Sequence, residues 1–551
     1  MRPFTNMHIM KKYILIFLCL ITVSGSFAQM QDFKFKFYGQ IRTDFYYNSR
    51  ANEETVDGLF YMYPKDKVRD PEGNDLTSTP NSNFYTLYSR LGVDVAGPKL
   101  GTAKTSAKVE VDFRGTGTSY SVIRLRHAYL NLDWGKSALL LGQNWHPLFG
   151  DVSPQILNLS VGAPFQPFSR APQIRYRYTN KNFQLTGAAV WQSQYTSQGP
   201  EGKTHKYLKQ SCIPEIYLGL DYKSKQLQAG VGVEMLSLKP RTEAILHHYF
   251  TDPYTGYMHS METTFKVDER ITTLSYEAHV KYTNKDWFIG FRSNFTYAIN
   301  RVDEYDEPES VVGTYKGLTG RSLNTLWGLQ AERLFTADDF DADGNLKFGI
   351  PTQDVGASKV RPGDIKYVDM NGDGFITDAD EGYIGGTVDP RIVYGFGGNI
   401  NYKNWDLNFF FQGTGDTYRV IGNTTYFIPG SGQTLQGNVY SNYNDRWTEE
   451  NSSQDVFWPR LSEEPNRQNY RSSTWWKKNM RFLRLKTLEL GYTLPKMITE
   501  KIHSKSVRFY VSGNNLFCFS PFKLWDPELD TDTGLRYPAM RSVMFGVDLN
   551  F

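Results

Sequence analysis

The stretch VDMNGDGFITDADE, Val368–Glu381, spaces its oxygen-bearing side chains as a calcium loop does. Counted from Asp369, Asn371 stands third and Asp373 fifth; Gly374 permits the sharp turn, Phe375 offers its carbonyl, Thr377 stands ninth and Asp380 twelfth. Calcium takes about six to eight oxygens, and this spacing folds them around one point. The twelfth ligand is Asp where the longer Glu is usual, with Glu381 one place on, so bidentate ligation reaches less easily. The alternative is a polar turn without an ion, since Asn, Asp and Gly turn the chain unaided. A calcium sensor needs a helix on each side of such a loop. Here Gly363–Val368 reads as a strand, and Gly382–Arg391 carries Gly and Pro. The expectation is a structural Ca2+ that fixes a loop. A second acidic run, Asp339–Leu346, shares the first half of the pattern, has Ile350 at the twelfth place and reads as a turn.

The other residues with chemistry in their spacing are arginines. Arg42, Arg124, Arg126, Arg175 and Arg177 alternate with apolar residues, as in RLR and IRYRY. On a strand such alternation sends the guanidinium groups to one face. If that face lines an aqueous path, it favours anions; otherwise the arginines only fill a wet face. No HExxH, P-loop, nucleophile elbow or CxxC is present, and the expectation is a protein that is not an enzyme. His247-His248 is an adjacent pair in a long connection, where a strand would turn the two apart.

Strands must position these groups. In Ala103–Arg114 the odd positions are Ala, Thr, Ala, Val, Val and Phe, and the even ones Lys, Ser, Lys, Glu, Asp and Arg. Leu274–Tyr282, Trp287–Asn300, Arg391–Lys403, Val507–Asn515 and Val543–Phe551 alternate likewise. A soluble sandwich turns such apolar faces inward; a membrane barrel turns them to lipid and keeps water inside. Segments of ten or more residues suit tilted membrane strands. Tyr46-Tyr47, Trp134, Trp287, Tyr402 and Trp405 stand at strand ends, where an aromatic girdle belongs. The reading is an all-β transmembrane antiparallel barrel of about 16 or more strands. Its long polar connections fall at Ala51–Pro80, Gln192–Ile213, Lys239–Val267, Glu304–Gly320, Ala337–Asp364 and Pro429–Lys478.

Composition agrees. Of 551 residues, 15% are aromatic, with 36 Tyr, 36 Phe and 11 Trp, yet mean hydropathy is −0.49. A net charge of +3 without Lys/Arg runs speaks against nucleic acid. Lys11-Lys12, the apolar run Tyr13–Val23 and SGSFAQ read as a signal peptide over residues 1–28. Cys19 lies within that apolar run; Cys212 and Cys518 remain after it and show no metal spacing.

From about Trp287 the chain resembles the C-terminal half of a SusC/RagA-type outer-membrane transporter. The carrying segments are Asn294–Glu309, Pro362–Gly385, Tyr394–Asp416, DRWTEEN at Asp445–Asn451, Phe482–Lys496, Arg508–Phe517, DPE at Asp526–Glu528 and the final MFGVDLNF. The resemblance implies TonB-dependent nutrient uptake with a SusD-like surface lipoprotein as partner. Family members begin with a plug and a TonB-contacting segment; no plug-like region precedes the matching residues here, which puts TonB in doubt. Residues 29–286 instead resemble a porin, chiefly in Phe35–Tyr47 and Arg124–Phe149. The chain thus reads as a hybrid: porin-like strands over 29–286 and SusC-like strands over 287–551, joined near Lys285–Asn294. The expected function is solute uptake through a barrel in the outer-membrane lipid of a Gram-negative bacterium. The alternatives are a passive, anion-preferring porin and a calcium-stabilised surface adhesin or glycan-binding protein.

Overall fold

The computed structural model describes residues 33–550 apart from 56–59, 66, 88, 114–121, 150–168, 252–253, 255–257, 304, 354–358, 423–439, 463–465 and 537–538. The expected signal peptide lies outside the described residues. Sixteen strands form one antiparallel sheet: β1 (Lys34–Gln40), β2 (Arg90–Leu100), β3 (Ala103–Asp112), β4 (Arg124–Asp133), β5 (Ser137–Trp145), β6 (Arg170–Asn180), β7 (Phe183–Val190), β8 (Glu215–Lys223), β9 (Leu227–Leu238), β10 (Ile271–Thr283), β11 (Trp287–Tyr297), β12 (Ile392–Tyr402), β13 (Trp405–Gly415), β14 (Phe482–Thr493), β15 (Ser506–Phe519) and β16 (Ser542–Asn550). Each strand pairs with its neighbours in this order, so the barrel wall is a simple meander with β1 and β16 as its edge strands.

The alternation dictates the faces. Leu218, Phe183, Val231 and Phe545 point outward and are exposed, Phe545 to 83%. Their neighbours Thr186, Tyr217, Asp221 and Glu234 point inward and are buried. A soluble protein hides its large apolar side chains; this one presents them on the outside of strand after strand, as a lipid-facing wall does. Among the described residues no helix is long and apolar enough to cross a membrane. Within the wall, strand pairing satisfies the backbone polar groups, as hydrocarbon surroundings require, with β1 and β16 each paired on one side among the described residues.

Turns of two or three residues join β2–β3, β4–β5, β6–β7, β8–β9, β10–β11 and β12–β13 at one end. The aromatic girdle is there: Trp287 packs on Tyr402 at 4.4 Å between centroids, and Trp405 on Tyr492 at 4.7 Å. Trp134 is exposed at the same end. The long connections leave the opposite end. Within them the stretch expected as an open connection at Lys239–Val267 contains a paired hairpin, Glu243–Thr251 with Met258–Lys266. His247 and His248 are consecutive residues of its first strand. The join expected near Lys285–Asn294 is a continuous hairpin, with β10 and β11 in register from Leu274↔Tyr297 to Thr283↔Phe288. Cys212 and Cys518 are both free, Cys212 exposed and Cys518 partly buried.

The connections after β11 and β13 build a cap with its own core. Leu329, Leu334, Ile365, Tyr367, Trp458 and Trp476 are buried together there. Asp364 knots this cap: fully buried, it accepts from Arg460 through two bonds of 3.0 Å and from Asn466 and Asn469. A buried carboxylate with this many donors is stabilised where an unpaired one would be costly.

Candidate functional site

The polar face of the wall is narrowed by one connection. After β5, His146–Phe149 folds inward and is tied to strands beyond its own neighbours. At its root, Gln173 on β6 donates to the carbonyls of Asn144 and Trp145 at the end of β5, at 3.0 and 3.1 Å, and Arg175 adds a bond to Trp145. From the far side, Arg292 on β11 donates to the Phe149 carbonyl at 2.6 Å, and Asn294 to that of Leu148 at 3.2 Å. The rings stack as well: Trp145 on Phe149 at 4.8 Å, Arg170 over Trp145 at 4.7 Å, and Arg292 over Phe149 at 4.5 Å.

His146 is the fastening. Its Nε2 lies 3.0 Å from Glu215 on β8 and 3.1 Å from Glu234 on β9, all three side chains buried. The Leu148 amide donates to Nδ1 at 3.2 Å. An acceptor at Nδ1 puts the neutral ring's proton on Nε2, aimed at the two carboxylates. The ligand atoms of the three lie within 4.8 Å of one another, as a divalent-metal site requires. A metal on Nε2 would force a proton onto Nδ1, against the Leu148 N–H, so the arrangement suits a shared proton better than an ion.

Beside this segment lies a polar cavity of about 310 Å3, bounded by Tyr129, Arg175, Arg177, Asp221, Glu277 and His279 among others. On the β8–β10 side, His279 sits between Asp221 (3.0 Å) and Glu277 (3.1 Å), and Tyr217 donates to Glu277 at 2.9 Å. Tyr217 can lie across the wall because its neighbours lack side chains. A Cβ at Gly219 or Gly232 would fall within 2.4 or 2.3 Å of the Tyr217 hydroxyl. In AGVG, Ala229–Gly232, the second glycine makes room for Tyr217, while Gly230 makes room for Asp221 and His279.

Of the five arginines expected in the lumen, four line it. Arg124 and Arg126 face inward but carry partners that the sequence reading left out. Arg124 pairs with Asp112 at 2.6 Å; Arg126 pairs with Glu110 at 2.5 Å and Asp112 at 3.0 Å. The acids come from β3, whose even positions are the same wet face. Arg90 and Arg170 stand within electrostatic reach of this group. Among the described residues the cluster therefore holds four arginines against two acids, and Arg170 Nη1 is buried without a hydrogen-bond partner among them. Arg175 and Arg177 line the cavity. Arg42 is not on a strand: it follows β1, where its amide donates to Ser89 at 3.1 Å. It lies within electrostatic reach of Tyr510 on β15, across the edge strands.

The acidic loop lies in the cap, away from these groups. Asp369 accepts from the amides of Gly372 and Gly374 at 2.7 and 2.8 Å. Desolvation opposes its ionisation, yet those amides hold its carboxyl below the usual range. Asn371 and Asp373 bond each other at 2.9 Å. Asp380 is buried and accepts from Met370 and Thr377, closing the loop on itself, while Thr377 caps the short helical turn Asp378–Asp380 by accepting from Ala379. Phe375 is exposed at the start of a two-residue strand. Tyr315 feels the combined charge of Asp380, Asp369 and Asp373, so these three carboxylates face one region. Asp369, Asn371, Asp373, Asp380 and the Phe375 carbonyl offer oxygen only, which suits a hard cation. Asp341 in the second acidic run accepts from Asp343 and Asn345 and makes a tight turn.

These features define a membrane β-barrel with a constricted polar interior. Comparison with known proteins puts it in the outer membrane. The profile of the family described as DcaP outer membrane protein matches residues 25–196. TonB-dependent receptor P3 of Formosa agariphila is 25% identical over 370 residues, covering 62% of this chain and 34% of the receptor. TonB-dependent receptor P26 of the same organism is 33% identical over 220 residues, covering 36% of this chain and 21% of the receptor. Among solved structures, the RagAB peptide importer in its open-open state matches with a TM-score of 0.47 at 16% identity, over 95% of this chain and 60% of that one. The chain thus spans about a third or less of the curated relatives' length. It is an outer-membrane β-barrel that is similar to a porin family and to TonB-dependent receptors.

Proposed function

We propose that the protein passes small polar solutes inward across the outer membrane for nutrient uptake, on a barrel whose C-terminal part is of the SusC/RagA receptor kind. The observation that carries this reading is the polar cavity beside the inward-folded His146–Phe149. The segment is fastened to β8, β9 and β11, so among the described residues it narrows the interior and leaves this cavity beside it. Narrow, mixed-charge paths select small hydrated solutes. In this reading the protein has no catalytic role. The cap on the long-connection side offers a docking surface for a SusD-like lipoprotein, and coupling to TonB would follow the receptor resemblance. A structural Ca2+ held by Asp369, Asn371, Asp373, Asp380 and the Phe375 carbonyl would fix the cap. Arg471 supports that role, because it ties Asp378 beside the loop to the connection after β13 at 2.7 Å.

A second reading, an anion-preferring passive porin, is favoured by the excess of arginine around Asp112 and Glu110. Planar-bilayer recording tests both. Purified protein should conduct at once, without partner or energy source; a silent bilayer refutes passive conduction. The double variant Arg124→Ser/Arg126→Ser strips two positive charges and strands Asp112 and Glu110. Its reversal potential should move toward cations, and an unchanged anion-to-cation ratio refutes anion preference.

A further inference from the structure

The cavity walls carry opposite charge, and the segregation is built in. On β8, β9 and β10, together with the inward segment, two imidazoles each sit between two carboxylates: His146 between Glu215 and Glu234, and His279 between Asp221 and Glu277. Whether or not each imidazole holds an extra proton, two carboxylates against one ring leave each group at least one charge negative. On β6 the cavity is lined by Arg175 and Arg177. Arg175 is engaged with Gln173. Arg177 makes no hydrogen bond or ion pair among the described residues, although it reaches the cavity. An arginine directed into a confined polar space with no partner of its own is a group awaiting an anion.

We propose that this cavity binds a zwitterion, with its carboxylate on Arg177 and its ammonium on the Asp221–His279–Glu277 group. The proposal rests on the solute-channel reading and names the class of solute. Register sets the length. Arg177 stands opposite Thr186, Thr186 opposite Gly219, and Asp221 is two residues beyond Gly219. Two strand spacings and two residues put the roots of Arg177 and Asp221 about 12 Å apart. Both side chains lean into the cavity, which leaves room for charges separated by about two residue lengths, or ~7 Å. A simple anion would satisfy Arg177 but meet repulsion from the acidic wall. A simple cation would meet the arginines. Only a molecule with both charges is favoured at each end, and it crosses without a change in net charge.

The test is calorimetric titration of the full, detergent-solubilised chain with three probes of equal length: 6-aminohexanoate, hexanoate and hexylammonium. The zwitterion should bind at least ~10-fold tighter than either single-charge probe, the size of one good charge contact. Arg177→Gln should lower its affinity to that of hexylammonium, and Asp221→Asn to that of hexanoate. The two changes lie on different strands, and retained heat-modifiable gel mobility confirms that each barrel is folded. Equal binding of hexanoate overturns the proposal in favour of an anion site. Equal binding of hexylammonium, no binding at all, or indifference to both substitutions overturns it as well. Bilayer conductance of the same preparation reports separately on the channel: conduction without discrimination removes this site and leaves the channel, whereas discrimination without conduction does the reverse.

Discussion

Removing His146 should open the lumen. In His146→Ala the inward segment loses two hydrogen bonds of 3.0 and 3.1 Å, and Glu215 and Glu234 are left facing each other in a buried setting. Hydrogen bonds to charged groups contribute about 1.5–3 kcal/mol each, and removing one partner of a buried charged contact costs about 3–5 kcal/mol. The ties from Arg292 and Asn294 remain, so the segment should loosen rather than vanish. The wall, which rests on strand pairing, should hold. Single-channel conductance should therefore rise in the variant while the barrel stays folded. Adding Glu234→Gln to His146→Ala removes the stranded pair of charges and should recover part of the lost stability. Identical conductance of variant and wild type, or a double variant less stable than the single, would refute the reasoning.

Two further predictions concern the cap. With calcium at about 100 times its dissociation constant, a bound ion adds about 2.7 kcal/mol to cap stability; chelation should lower the unfolding temperature followed by tryptophan fluorescence, and Asp380→Asn should abolish the difference. Equal unfolding with and without chelator eliminates the structural ion. Lys478 lies 4.4 Å from the Phe457 ring and 5.8 Å from that of Trp476, and burial pushes its pKa down to about 8 despite the charge of Asp445. A lysine with a lowered pKa penalises the fold below that value, and the penalty fades as pH rises from about 8 to the ordinary lysine range. The wild-type cap should gain about 1–3 kcal/mol between pH 7 and 10, whereas Lys478→Met should be flat there; parallel profiles would refute this.

The fold was legible because period-two alternation carries its own geometry. Ala103–Arg114 and Leu274–Tyr282 name their lipid and water faces residue by residue, and β3 and β10 follow them. The short turns and the girdle residues Trp287, Tyr402 and Trp405 came from the same logic. The site was less legible because its parts are adjacent only after pairing. Arg124 and Arg126 were visible as inward cations, but their neutralisation by Asp112 and Glu110 depends on the β3–β4 register and its bulge, which no local pattern announces. His146, Glu215 and Glu234 are far apart in sequence and meet only because the chain after Trp145 turns inward. Arg42 was placed on a strand because it follows an alternating run; the strand ends at Gln40.

The inward segment also bears on what it means for the two resemblances to meet in one chain. Two barrels merely placed end to end would share a wall and nothing inside it. Here Arg292 and Asn294 on β11 hold the carbonyls of Phe149 and Leu148, which lie within the residues that the porin family model matches. The bonded residues are 143 and 146 positions apart. Arg292 also covers the Phe149 ring, and it is itself buried. An arginine that deep needs its acceptor, and a loop turned into the lumen needs a wall to hold it. Strand β11 and the inward segment therefore each supply what the other lacks, and a substitution at Arg292 would loosen the same segment that His146 fastens from the opposite side.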